Sequence, residues 1–138
     1  MISKNFKYSE FEYSEIAEEW GIDNTIPEEL KPRIKALVDN VLQPLRNVWG
    51  VMPINSGYRC RELNEKVGSV ESSQHRTGDA CDVRCSNPLK LAQLAKDMGL
   101  PFDQIGLYAN FVHISHKYNG KQRGHIFYHK SYKGAKVV

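Results

Sequence analysis

A single α+β domain with a mainly antiparallel sheet is predicted by three features of the chain. Helical signals fill its front, strand signals cluster behind them, and the strands are joined by short connections. At 138 residues there is material for one core and not for two. One domain is therefore expected over 1–138, with N-terminal helices over about 1–50 packed on the sheet-forming part at about 51–130.

The elements follow in order. Residues 13–20, YSEIAEEW, predict a short helix capped by Ser14 and stopped by Gly21. IDNTIPEEL then offers Thr25 with Glu28 three residues later, a capping box, and Pro27 in a first turn. The helix it opens carries Ile34, Leu37, Val38, Val41, Leu42, Leu45 and Val48 at the spacing of a core-facing stripe. Pro32 and Pro44 predict kinks or shifted ends within it, and Gly50 closes it. VMPINSGYR (51–59) reads as a short strand entering a turn, CRELNEKVG as a short helix, and SVESSQHRTG as loop. DACDVRC (79–85) alternates as a strand, with Ala80, Asp82 and Arg84 on one face and Cys81, Val83 and Cys85 on the other. NPLKLAQLAKDMG (87–99) predicts a second amphipathic helix, with Asn87 as cap, Pro88 at its first position and Gly99 at its end. FDQIGLY, NFVHISHK and HIFYHK are three further strands.

Composition excludes several classes. The chain is 41% hydrophobic and 25% charged, as soluble globular proteins are, and no apolar run approaches the ~20 residues of a membrane span. MISKNFKYSEFEYSE has no apolar h-region, so no secretory signal is expected; synthesis in the cytoplasm and a separate release route are. Net charge is only +3, although the segment after Tyr118 is basic and reads either as a contact for an anionic polymer or as a solvated end. No nucleic-acid-binding motif accompanies it, so a nucleic-acid partner is not expected. Cys60, Cys81 and Cys85 are expected as reduced thiols. Cys81 and Cys85 resemble half a zinc knuckle but lack a second cysteine pair, which favours small buried hydrophobes. A monomer is expected.

The chemistry concentrates around SSQHRTGDACDV (72–83), where His75 and Asp82 lie seven positions apart across Gly78. Catalytic zinc takes three protein ligands and keeps one open position. His113 in NFVHIS is the best third candidate. Alternation there sets Phe111, His113 and Ser115 on one face and Val112 and Ile114 on the other. Taken singly, a strand histidine is more often a hydrogen-bonded core residue than a ligand, and an H-x6-D pair is common.

SSQHRTGDACDV is similar to the S-x-H-x-x-G-x-A-x-D signature of the zinc D-Ala-D-Ala carboxypeptidase and endopeptidase family, which shares its fold with the hedgehog signalling domain. INSGYRCRELNEKVG resembles that family's SGYR-x-x-x-x-N block, PFDQIGLY its F-D-Q strand and NFVHIS its W-V-H-I-S strand, all in the right order. GIDNTIPEEL and its helix resemble the front of a bacterial and phage subgroup. The resemblance implies that His75, Asp82 and His113 bind Zn2+, that Arg59 grips a peptide carboxylate or carbonyl, and that Ser73 touches substrate. For Arg59 the plain alternative is a surface ion pair, for Ser73 a turn cap, and Asn64 reads as a structural turn residue. The implied partner is a peptidoglycan peptide, cut by a wall hydrolase such as a phage or prophage lysin.

One part of the pattern is missing. The family's general base is a glutamate three residues before the last ligand or at the end of the preceding strand, or a histidine two before. Those places hold Asn110, Leu107 with Tyr108, and Phe111. Tyr108, Asp103 and His116 are the remaining candidates, with Tyr108 suited to stabilising an oxyanion and His116 expected on the face opposite His113. His125 and His129 could fold over the site from the tail. The absent base makes a zinc-stabilised binding module that has lost turnover the competing expectation.

Overall fold

The computed structural model describes residues 1–138. Two short helices, α1 (Tyr8–Glu12) and α2 (Glu15–Trp20), open the chain. The Ser14 hydroxyl accepts from Ala17 N, and Gly21 closes α2 in the left-handed region, as expected. The Thr25–Glu28 capping box does not form. Thr25 turns back instead, its N–H and hydroxyl both bonding Asp23 Oδ1, while Glu28 pairs with Lys31. An Asx turn is the shorter-range partner and wins.

The long helical stripe is split at its second proline. Helix α3 (Lys31–Leu37) has Pro32 in its first turn, Val38–Leu42 widens into a π turn, and α4 (Gln43–Trp49) resumes with Pro44 in its first turn. A wider turn just before Pro44 relieves both the missing N–H and the ring's clash with the carbonyl four residues back. The apolar stripe survives the irregularity: Ile34, Leu37, Val38, Val41, Leu42 and Leu45 are buried, and only Val48 faces solvent.

Strand β1 (Ile54–Ser56), α5 (Arg61–Lys66), β2 (Ala80–Arg84), α6 (Pro88–Asp97), β3 (Gln104–Leu107), β4 (Phe111–Ser115) and β5 (His125–Tyr128) complete the chain. The segment expected as loop before β2 holds a 3-10 turn, Gln74–Thr77. Sheet order is β1-β2-β4-β3-β5. All neighbours are antiparallel except β3 and β5. The connection from β4 passes over β3 to its far edge, so β5 enters parallel to it; the sheet is mixed, though mainly antiparallel.

One face of the sheet is core. Cys81, Val83, Ile105, Leu107, Val112 and Ile114 are buried in one cluster with the α3–α4 stripe and with Leu91 and Ala95 of α6. Burial pushes the Cys81 and Cys85 thiols up, which fits their place as small hydrophobes. The basic tail is tied to the domain, and its last residues are largely exposed. It supplies β5, and Val138 then hydrogen-bonds Gln93 and Lys96 on α6. No helix is long and apolar enough to cross a membrane.

Candidate metal centre

The other face of the sheet presents its side chains in transverse rows. Strand pairing aligns Ser56, Asp82, His113, Gly106 and Phe127 across all five strands. Beside it lies a second row in which Arg84 pairs with Phe111, and Phe111 stacks on Tyr108 at 4.2 Å. Tyr108 in turn stacks on His129 at 4.4 Å. Gly106 leaves room for the Phe127 ring, whose tip lies over the strand where a Cβ would otherwise stand.

His75 comes to the first row from the 3-10 turn. That turn is bracketed by Ser73, whose hydroxyl accepts from His75 N, and by Gly78 at φ +79°. Its end is tied to α3, where Arg33 pairs with the buried Asp79 carboxylate at 2.9 Å and Thr77 bonds the same oxygen. His75 is itself buried, and its Nδ1 lies 2.7 Å from the Gly57 carbonyl. A carbonyl can only accept, so Nδ1 carries a proton there and Nε2 is the nitrogen left for another partner.

His75, Asp82 and His113 each offer one donor atom, and the three atoms lie within 4.8 Å of one another. Asp82 Oδ1 is 3.3 Å from His75 Nε2 and 3.0 Å from His113 Nδ1. Ligands held about 2.0–2.1 Å from a tetrahedral ion are spaced by roughly 3.3 Å, so the donor set fits zinc. The orientation of His75 suits the same role: with Nδ1 spent on the Gly57 carbonyl, Nε2 is the ring nitrogen turned toward Asp82. Burial alone would push the Asp82 carboxyl up, but the charge and hydrogen bonding of His75 and His113 outweigh it and hold it well below the usual carboxylate range.

Arg59 and Tyr108 border these three. Burial draws the Arg59 guanidinium below its ordinary value while Asp82 and Tyr108 act against that, which places it in their field. Its Nε is buried without a hydrogen-bond partner. Burial, and then the Asp82 charge, raise the Tyr108 phenol, with Arg59 opposing. Tyr108 is therefore a hydrogen-bond donor at neutral pH. Ser73 caps the turn of His75 and also lines a cleft of about 380 Å³ beside His113. Asn64 bonds the Val70 carbonyl and has a structural role.

The other two candidates lie apart from this group. Asp103 is fully buried and accepts four hydrogen bonds, from Arg123 N, Nε and Nη2 and from Gln74 Nε2. The Arg123 side chain is the main cause that holds its carboxyl at about 2. A carboxylate so saturated is an anchor for the tail rather than a proton acceptor. Its folded value is below its ordinary one, so the pair stabilises the protein above about pH 4 and the contribution disappears as pH falls toward 2. Asp103→Asn is expected to cost about 2 kcal/mol at pH 7 and to flatten the acid limb of the stability curve, read by urea unfolding from pH 7 to pH 3. His116 follows β4, its N–H bonds the Asp79 carbonyl, and burial lowers its imidazole between Asp79 and Asp103.

Sequence reasoning missed the Gly57 carbonyl, whose contact with His75 depends on long-range packing. Of the two tail histidines that could fold over the site, His129 does so, stacked on Tyr108.

No curated protein matches the chain. The family model described as Peptidase M15 matches residues 4–115, a span holding all three donors, Arg59, Ser73 and Tyr108. With that match over most of its length, and with a His–Asp–His set of the kind these zinc-dependent enzymes require, the chain belongs to the M15 peptidases, the zinc D-Ala-D-Ala carboxypeptidase family.

Proposed function

We propose that this protein is a zinc metallopeptidase that hydrolyses stem or cross-link peptides of peptidoglycan, acting at the cell wall as a phage or prophage lysin does. The observation that carries the reading is the convergence of three electron-pair donors beside two unspent hydrogen-bond donors, Arg59 and Tyr108. His75, Asp82 and His113 would hold Zn2+, which when bound supplies a water of lowered pKa and polarises a carbonyl. Arg59 binds and orients the peptide through a carbonyl or carboxylate oxygen. Tyr108 donates its hydroxyl proton in a hydrogen bond to the oxygen that gains charge as the amide is attacked. The stack of Phe111, Tyr108 and His129 fixes that hydroxyl and keeps water from one side of it.

Tyr108→Phe is expected to lower kcat about 100-fold, the scale of one lost oxyanion donor, with zinc content and KM unchanged. An undiminished kcat would remove Tyr108 from the chemistry.

A second reading has its own support. Tyr108 stands at the strand end where a base is expected, and a phenol raised by burial does not accept a proton at neutral pH. A zinc-stabilised module that binds wall peptide without cutting it would look the same. Incubating zinc-loaded protein with purified peptidoglycan, and searching for new amine termini by mass spectrometry, separates the two. New termini with the wild type and none with Asp82→Ala are expected; stoichiometric zinc without new termini from pH 6 to 9 would leave the binding module.

A further inference from the structure

Asp82 and His113 face each other by strand register, so their separation is fixed within the sheet. His75 reaches them from a turn outside it, and its place depends on what holds that turn. On the β1 side the Gly57 carbonyl meets His75 Nδ1, and the Arg59 N–H donates to the His75 carbonyl. On the opposite side there is a single hydrogen-bonding tie. Among the bonds of residues 73–78, only that of the Gln74 side chain crosses to the β3–β4 side, where Nε2 donates to Asp103 Oδ2 at 3.0 Å.

Asp103 has more partners than an end-point for one glutamine needs. Besides Gln74 its buried carboxylate accepts from Arg123 N, Nε and Nη2, its N–H donates to the Ser115 carbonyl, and its own carbonyl accepts from His125 N. One residue thus joins the turn of His75, the end of β4 two positions after His113, the start of β5 and the tail. A buried ion pair often adds no stability over apolar side chains of the same volume, so what it holds in place carries more weight. Gln74 lies inside the span of the family match and Arg123 beyond its last residue, 115, so Asp103 couples the matched metal turn to the segment that follows.

We infer that Gln74 and Asp103 are positioning residues for the metal centre, and that Arg123 makes metal affinity depend on the docking of the tail. The Gln74 amide nitrogen can only donate, and Asp103 is the acceptor that fixes its direction. Without the Arg123 side chain the buried carboxylate loses its nearest counter-ion and two of its four hydrogen bonds, those from Nε and Nη2. Losing either Gln74 or Arg123 frees the turn on the β3–β4 side and leaves His75 to the Gly57 carbonyl and the Ser73 cap. The inference rests on the metal site of the proposed function and is independent of peptide cleavage.

The test uses the full chain as wild type, Gln74→Met, Arg123→Gln and Arg123→Lys, with Lys121→Gln as a charge control on the same tail. Zinc affinity is read by competition with a chromogenic chelator, site geometry by the visible spectrum of the Co2+-substituted protein, and stability by the Tm of the metal-free form. Gln74→Met and Arg123→Gln are expected to lower zinc affinity roughly tenfold, the lower end for a lost outer-shell bond, and to alter the cobalt spectrum. Arg123→Lys should keep part of the affinity, and Lys121→Gln all of it. Arg123 is half exposed, so its variants are expected to fold and decide the question if Gln74→Met does not. A lower Tm with unmoved zinc affinity and cobalt spectrum would reduce the three residues to a structural role and overturn the inference, as would equal losses in Arg123→Gln and Lys121→Gln. The expected losses, in a protein whose wild type cuts no peptidoglycan, support the tie and count against the peptidase. A wild type that holds no zinc removes the metal centre and the inference with it.

Discussion

Replacing Asp82 by alanine is expected to abolish stoichiometric zinc binding and all peptide cleavage while leaving the fold intact. Asp82 Oδ1 is the atom on which both imidazoles converge, at 3.3 and 3.0 Å, so its loss opens the set rather than weakening one edge. The remaining histidines make a two-ligand site, short of the three that a catalytic zinc takes. Affinity should fall by more than the roughly 100-fold that loss of an outer hydrogen bond costs. The fold should tolerate the change because β2 keeps its pairing with β4 and its buried Cys81 and Val83. Two measurements check this: zinc content after dialysis against a weak chelator, and the rise in Tm that added zinc gives the wild type. A variant that retains one equivalent of zinc would show that the ion is held elsewhere.

Gly57→Ala is expected to damage both stability and metal affinity, although residue 57 donates nothing to the ion. A Cβ at Gly57 would lie 2.6 Å from Phe11 Cα and 2.7 Å from its carbonyl oxygen, backbone atoms that cannot swing aside. The adjacent Tyr58 N–H bonds that same carbonyl at 2.7 Å, so the two segments cannot part without losing a buried hydrogen bond. Overpacking of this kind costs about 1–3 kcal/mol. The Gly57 carbonyl also receives the His75 Nδ1 proton, and moving it frees the ring to turn or change tautomer. Zinc affinity should then fall roughly 10- to 100-fold, as for other lost outer-shell bonds. Competition with a chromogenic chelator measures the second effect and thermal unfolding of the metal-free protein the first. Loss of stability with unchanged zinc affinity would show that His75 is held by its turn alone.

Much of this molecule was legible in its amino-acid order because it rests on local rules. Ser14, Asn87 and Gly21 bound their helices as sequence reading places them, since a cap needs only neighbours three or four residues away. The period-2 pattern set Asp82 and Arg84 on one face and Cys81 and Val83 on the other, because a pleat allows nothing else. The three donors were legible through their resemblance to one family's ordered blocks, and the family match agrees with that membership.

What only the tertiary structure decided is how distant pieces lock together. The basic tail becomes strand β5 because Arg123 meets the buried Asp103 and because Gly106 leaves room for Phe127, pairings across roughly twenty residues. His75 is held in one tautomer by a carbonyl eighteen positions earlier. Side-chain identity names the atoms able to bind a metal or a carboxylate; only the packed sheet sets them a few ångströms apart, where their lone pairs and charges must be answered together.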